Sequence, residues 1–309
     1  MQMQFKGEEV SRTVFATRVI NRVIDSIIQN NYNGMSAKDR CSIVAIGYSD
    51  EAQVLCSGLL SHLDETPLRI ETVRKKVSDG AGGLVEIQKT MPIWVEPSSG
   101  NRCTNMTAAF EMAKQVIEKW LEDKPESPAP VIINISDGIP YYDYKNELQC
   151  MEETAAIVQE IMNIHTKDGN VLVFNAEIGE SNTQIILPNS EAEVAAGGIG
   201  AKFLYEISSE VPDGYIAAAQ KNQLPVKEHS RCAVFAADAA SAIQSARRLK
   251  KPAPPTPIGH PKKYAFMGQL WIESILNTED LMLTSKHSTT YVAKMPPPIL
   301  PDGLLCCCL

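Results

Sequence analysis

No apolar run in this chain approaches the roughly 20 residues that a membrane-spanning helix requires. The opening stretch, Met1 to Arg12, lacks the apolar core of a secretory signal. Basic charge is in deficit. Lys and Arg number 29 against 37 Asp and Glu, for a net charge of -8 and a sequence pI of about 5.3. That balance argues against wholesale binding of nucleic acid. The local cluster Arg247, Arg248, Lys250 and Lys251 reads as a solvated helix end. Paired-cysteine spacing is absent as well. Cys41, Cys56, Cys103, Cys150 and Cys232 are scattered, mostly in or beside apolar runs, and read as reduced structural thiols of a cytoplasmic protein.

The short motifs of common enzymes are missing too. Gly197-Gly-Ile-Gly200 does not follow the dinucleotide pattern GxGxxG, and no GxxxxGK[ST] loop occurs. There is no GxSxG elbow and no HExxH pair. The histidines, His62, His165, His229, His260 and His287, stand far apart. A serine or cysteine hydrolase needs a positioned base, and none is suggested. No internal repeat of useful period is visible.

What is present is ordinary globular material, 44% hydrophobic and 21% charged over 309 residues, enough to bury a large core. Its focus is Val131-Ile-Ile-Asn-Ile-Ser-Asp-Gly138. Val131, Ile132, Ile133 and Ile135 are β-branched and point to both faces, as in a central strand covered on two sides. The strand ends at Ser136-Asp137, where open α/β sheets bind ligands. The bland reading of that aspartate is a helix cap.

Around this strand the pattern alternates. Val10 to Asn30 predicts a helix, with apolar residues near the 3.6 period. Cys41 to Tyr48 predicts a strand. Ala52 to Leu60 predicts a second, joined to the first through Ser49-Asp50-Glu51 as a hairpin that places one antiparallel strand at a sheet edge. Leu68 to Val77 reads as a short helix, and Leu84 to Val95 as irregular or extended. Ala108 to Trp120 reads as a helix, opened by Thr104 or Asn105 as cap. Leu148 to His165 reads as a helix, Asn170 to Ile178 as a strand, Lys202 to Ser208 as a short apolar segment, Arg231 to Phe235 as a last strand, and Ala236 to Lys250 as the closing helix. This predicts a doubly wound α/β domain over residues 1–250, with a mostly parallel sheet.

Beyond residue 250 the composition changes. Residues 251–309 read as a proline-rich linker and a poorly ordered tail, with one short helix over Tyr264 to Leu283. The last residues, Cys306-Cys-Cys-Leu309, only loosely match a prenylation box, whose middle positions should be aliphatic. A metal-binding or palmitoylated cysteine cluster is the other functional reading, and an unstructured terminus the bland one.

Order and spacing together carry a resemblance. A Gly100-x-x-x-Thr104-Asn-Met106 loop opens a helix, and a strand then ends Ile133-Asn-Ile-Ser-Asp-Gly138. Trp94-Val-Glu-Pro97 leads into the threonine loop, Asp168 to Asn175 forms the next strand, and Ala237 to Ile243 closes the pattern. Over residues 1–250 the chain resembles a von Willebrand factor A (vWA) domain. It is similar in particular to the stand-alone cytoplasmic bacterial type associated with tellurite-resistance and stress-response operons. The resemblance implies a Rossmann-like sheet whose carboxyl edge holds a metal-ion-dependent adhesion site. It makes Thr104 and Asp137 ligands of Mg²⁺ (or Mn²⁺), directly or through water. It implies recruitment of a protein partner through an acidic side chain, with no part for membrane or nucleic acid. Ser136 and Asn134 would be framework, and Asn105 would orient the loop.

The sequence also departs from that pattern. The family's first ligand loop, Asp-x-Ser-x-Ser after strand 1, is absent, and the first predicted element here is already helix 1. Met1 resembles the methionine that commonly ends the loop, which implies that the chain starts internally. Ser49-Asp50 is not expected to substitute, because it sits after a different strand. The central strand 1 is therefore expected to be missing. The Cys41–Tyr48 and Val131–Ile135 strands must then pair directly, split the sheet, or receive a strand from elsewhere. The expected function is a non-catalytic binding module whose metal site is incomplete. The alternatives are a metal-free scaffold, with a partner surface elsewhere such as the proline-rich tail, and a Mg²⁺-dependent phosphoryl or hydrolytic enzyme built on Asp137 with Asp143 or Glu177.

Overall fold

The fold is mixed α/β, seen in a computed structural model that describes residues 2–5, 8–32, 34–78, 84–97, 103–181, 184–221, 224–237 and 304–308. In chain order the elements are β1 (Gln2–Phe5), β2 (Glu8–Ser11), α1 (Arg12–Asn30), β3 (Ser42–Tyr48), β4 (Ala52–Leu59), α2 (Leu60–Glu65), β5 (Arg69–Ser78) and β6 (Leu84–Ile93). There follow α3 (Met106–Asp123), β7 (Val131–Ser136), α4 (Glu147–Met162), β8 (His165–Thr166), β9 (Gly169–Asn170), β10 (Leu172–Ser181) and β11 (Ile185–Ile186). The remainder are α5 (Glu191–Val194), α6 (Gly198–Glu206), α7 (Asp213–Lys221), β12 (Ala233–Ala237) and β13 (Leu304–Cys308). No described helix is long and apolar enough to cross a membrane.

Seven strands make the main sheet, in the order β11-β12-β10-β7-β13-β3-β4. The five inner strands run parallel. Both edges are antiparallel: β4 on β3, as the hairpin reading has it, and also β11 on β12. The second antiparallel edge corrects the expectation of one. At two residues, β11 is too short to carry an alternation that a sequence could show.

The sheet forms because its strands are apolar on both faces. Six of the seven residues of β3 are buried, and five of the six in β7. Successive side chains enter opposite layers. Ile43, Ala45, Ile133, Ile135, Ala176 and Ile178 pack with Ile20, Val23, Ile24, Ile27 and Ile28 of α1. Val44, Ile46, Ile132 and Val173 pack with Met106, Phe110, Ala113 and Ile117 of α3, Val158 and Ile161 of α4, and Phe203 and Leu204 of α6. Each fully buried Ile or Phe contributes about 1.5–3 kcal/mol. The two layers together therefore dominate the stability.

A buried polar row crosses the same sheet. Tyr48 on β3 donates to Asn134 Oδ1 on β7 at 3.1 Å. Asn134 Nδ2 donates to Asn175 Oδ1 on β10 at 2.8 Å. Asn175 Nδ2 donates in turn to Ser208 Oγ at 2.9 Å and lies 3.3 Å from the carbonyls of Leu204 and Ile207. Both asparagines are fully buried. Each is tolerated there because its amide is satisfied.

The expected absence of a central strand is corrected in part. The position between β3 and β7 is filled, and the occupant is Leu304–Cys308 of the same chain. It runs parallel to both neighbours. Leu304 to Cys308 register with Ser42 to Ile46, and Leu305 to Cys308 with Val131 to Asn134. The physical reason is the one that made a gap unfavourable. Two buried strand edges present unpaired N–H and C=O groups, and pairing them outweighs the ordering of five residues. These five residues fall in the stretch read as an unordered tail. The linker, the helix over 264–283 and most of the closing helix over 236–250 lie outside the described residues, while Ala236 and Ala237 belong to β12.

Other readings shift at the borders of the core. Leu68 to Val77, taken for a helix, lies almost wholly in β5, which pairs along its whole length with β6. Ile70 is 62% exposed, so this hairpin has no burial alternation there to betray it. The segment Lys202–Ser208 lies mostly in α6, and α7 is an element the sequence pattern did not suggest. The segment after β6 is anchored by Asn21 of α1. Its Oδ1 accepts from the backbone N–H of Trp94 at 2.7 Å and of Val95 at 3.0 Å, and its Nδ2 donates to Val95 O at 2.8 Å.

Candidate functional site

Three segments meet at the carboxyl ends of β3 and β7: the turn Ser49–Glu51, the loop Cys103–Asn105, and the loop Asp137–Tyr142. Their meeting follows from parallel strand direction, which sends the ends of β3 and β7 to one edge. Backbone bonds tie them. Asn105 N–H donates to Ser49 O at 2.7 Å. Thr104 N–H donates to Tyr141 O at 2.7 Å, and Tyr141 N–H returns to Thr104 O at 3.1 Å. The Thr104 and Asp137 loops, which the vWA resemblance implies share a site, are joined by a two-bond bridge four residues beyond Asp137.

Each loop is braced from behind. Asn105 caps α3: its Oδ1 accepts from Ala108 N–H at 3.1 Å, and its Nδ2 lies 3.4 Å from Asp50 O. Its expected role in orienting the loop therefore has a geometry. Thr107, in the first turn of α3, shares hydrogen bonds with Tyr142 OH at 2.9 Å and Thr154 Oγ1 at 2.8 Å. Tyr142 also donates to Glu153, which Lys145 holds at 2.8 Å. Burial and the acceptor Glu153 push the Tyr142 phenol upward, so it stays a neutral donor.

The Asp137 loop turns on glycine. Ser136 Oγ accepts from Gly138 N–H at 3.0 Å. Gly138 has φ of 93°, a left-handed conformation that a side chain disfavours. A Cβ at Gly138 would stand 2.8 Å from the carbonyl group of Gly200, and one at Gly200 would stand 3.2 Å from Asp137 O. The Gly197–Gly200 stretch, which fits no nucleotide fingerprint, therefore has a packing role: it lets the start of α6 approach the Asp137 backbone.

Thr104 and Asp137 are both half-buried. The Thr104 hydroxyl makes no hydrogen bond among the described residues. Asp50 was set aside because it follows a different strand, yet the turn that carries it abuts this loop. The Cys103 thiol is influenced chiefly by the Asp50 carboxylate. That neighbour, with lesser help from desolvation and the charge of Asp143, raises the thiol above its ordinary range. The signal for Asp50 was available in the hairpin reading. A turn that follows a strand parallel to β7 must emerge at the same edge as Asp137.

Glu177 on β10 is nearly buried, beside Gly197, where an added Cβ would be 3.9 Å from both carboxylate oxygens. Asp143 is exposed, with φ of 54°. His165 pairs with Asn170 and His229 with Glu210, both in exposed positions. Among the described residues no group of three or more His, Cys, Asp or Glu is gathered as a metal would require.

Comparison with family profiles, with curated proteins and with solved structures returns no match for this chain.

Proposed function

We propose that this chain is a non-catalytic protein-binding module of the vWA type, with its partner surface on the carboxyl edge. The observation that carries the reading is the Thr104–Tyr141 bridge. It joins the two loops singled out in the sequence into one platform, braced by the Asn105 cap and by the Tyr142–Glu153–Lys145 contacts. Such a surface, half-buried and with no base aligned on a nucleophile among the described residues, suits recognition better than catalysis. The doubly wound reading of the sheet is supported by helices packed in both layers and by the antiparallel β4 edge.

The donor set does not complete a divalent-metal site. A hard cation such as Mg²⁺ takes about six oxygens, several of them from water. Among the described residues, Thr104 and Asp137 would supply two. The strand in the central position, Leu304–Cys308, has no oxygen in its side chains. The binding reading therefore routes nothing through a metal, and the metal-free form of the module is the one these residues support.

The test is partner capture by the full chain, with Asp137→Ala and Thr104→Ala beside it, with and without chelator, followed by thermal unfolding. Capture that is lost in both variants and indifferent to EDTA is expected. Capture indifferent to both substitutions would move the surface elsewhere. In the melts, a site of about 1 mM affinity would show roughly 1.4 kcal/mol of stabilisation at about 10 mM Mg²⁺. Such a shift, absent in Asp137→Ala, would restore the metal.

A further inference from the structure

The most unusual feature of the fold is where its central strand comes from. Residues 238–303 separate β12 from β13. β3 and β7 are not paired with each other, and each turns its inner edge to β13. Their spacing is set by more than the strand between them. Alternate residues of β3 and β7 pack into the same two layers against α1 and α3. The Tyr48 hydroxyl reaches Asn134 across the position of β13. The result is a slot one strand wide, with main-chain donors and acceptors on both walls. An occupant must be extended, parallel to both walls and about five residues long.

Leu304–Cys308 meets those conditions in its own chain, so the same segment of a second copy meets them equally. Seated there, it would make the same pairings with Ser42–Ile46 and Val131–Asn134. Only the tether distinguishes the two arrangements. A long tether holds its end at an effective concentration of about a millimolar at most. At protein concentrations near that value, a neighbour's strand competes on even terms.

We propose that the slot between β3 and β7 is a strand-receiving site between copies of this chain. Leu304–Cys308 of one copy seats in the other, and reciprocal exchange gives a two-fold dimer. This stands apart from the carboxyl-edge binding reading and survives its failure.

The test uses the full chain in reductant, refolded from denaturant at about 10 µM and at about 1 mM and weighed by light scattering at each concentration. About half the chains in dimers at the higher concentration, against about one in fifty at the lower, is the expected result. An equal mixture of light- and heavy-isotope chains, carrying a diazirine amino acid at position 305, identifies the strand's owner. Cross-links from that position to β3 or β7 should join light to heavy chains in the dimer fraction. Cys306→Pro, which cannot donate the strand, should not dimerise, whereas Cys306→Val should. Monomer at both concentrations overturns the proposal. So does a dimer whose cross-links stay within one isotope or miss β3 and β7, and so does equal dimerisation of the proline variant.

Discussion

Gly138 shows how closely single residues are specified at the candidate site. Its φ of 93° and the 2.8 Å that would separate an added Cβ from the Gly200 carbonyl act together. Gly138→Ala is therefore expected to destabilise by about 1–3 kcal/mol, from backbone strain and from backing α6 away. Urea denaturation at equilibrium measures it, and a change within about 0.5 kcal/mol would mean that the loop relaxes freely. Cys103 offers a test with a pH axis. Its thiol is raised chiefly by the Asp50 carboxylate. A raised thiol pKa means less thiolate at a given alkaline pH, and thiolate is the nucleophile. Alkylation of Cys103, followed by peptide mass mapping, should therefore be slower than for a free cysteine. Asp50→Asn should shift its pH profile downward and speed it. Cys41 and Cys56, pushed up to about 12 by burial, should stay slow in both proteins. None of these contacts was legible beforehand; the vWA resemblance implied only that Thr104 and Asp137 belong to one site. Gly138 read as punctuation, and Asp50 was discounted, because a sequence shows a turn's residues but not which neighbouring loop the turn meets.

At the scale of elements, legibility followed burial. β3, β7 and α3 announced themselves because each buries most of an apolar pattern: Val44 and Ile46, Ile132 and Ile133, Phe110, Ala113 and Ile117. β5 was misread for the converse reason. Its Ile70, Val73 and Val77 recur at near-helical spacing, while the hairpin's stability comes from pairing with β6, which leaves no mark on hydrophobic period. β13 was illegible in a third way. Leu-Leu-Cys-Cys-Cys is compatible with a buried strand, but nothing local to it names partners that lie before residue 137. What the vWA resemblance did imply was the vacancy itself, since the family's pattern places a strand between these two and the sequence offers none before helix 1. The capping of α3 is the element-level prediction. Asn105→Ala removes the acceptor for Ala108 N–H and the contact with Asp50 O. A loss of about 1 kcal/mol is expected, or about 2–4 °C in Tm for a domain of this size. Asn105→Asp keeps the acceptor and should recover most of the loss. A variant that melts with the parent would show that the cap is not what orders the Thr104 loop.

The whole molecule depends on β13 in a way that neither layer alone reveals. Without residues 304–309, the sheet consists of β4-β3 on one side and β7-β10-β12-β11 on the other, with no backbone pairing between them. The facing edges of β3 and β7 would then carry buried N–H and C=O groups, each costing about 1–3 kcal/mol when left unpaired. A handful of such groups exceeds the roughly 5–15 kcal/mol by which a domain is stable. The two halves would still not part, because the layer containing α1 joins Ile43 and Ala45 to Ile133 and Ile135, and the layer containing α3 joins Val44 and Ile46 to Ile132. Apolar burial of that kind is non-directional and survives loss of register. The truncated chain is therefore expected to remain compact and to keep most of its far-ultraviolet circular dichroism. It should lose its near-ultraviolet signal and its cooperative melt, and should bind an apolar dye. Trp94 and Trp120, one in each layer, report on the two sides separately. Loss of fixed environment at both would place the failure in the sheet they share. An unchanged cooperative melt would mean that β3 and β7 close directly on each other, and that the strand between them is an addition to the sheet and not its keystone.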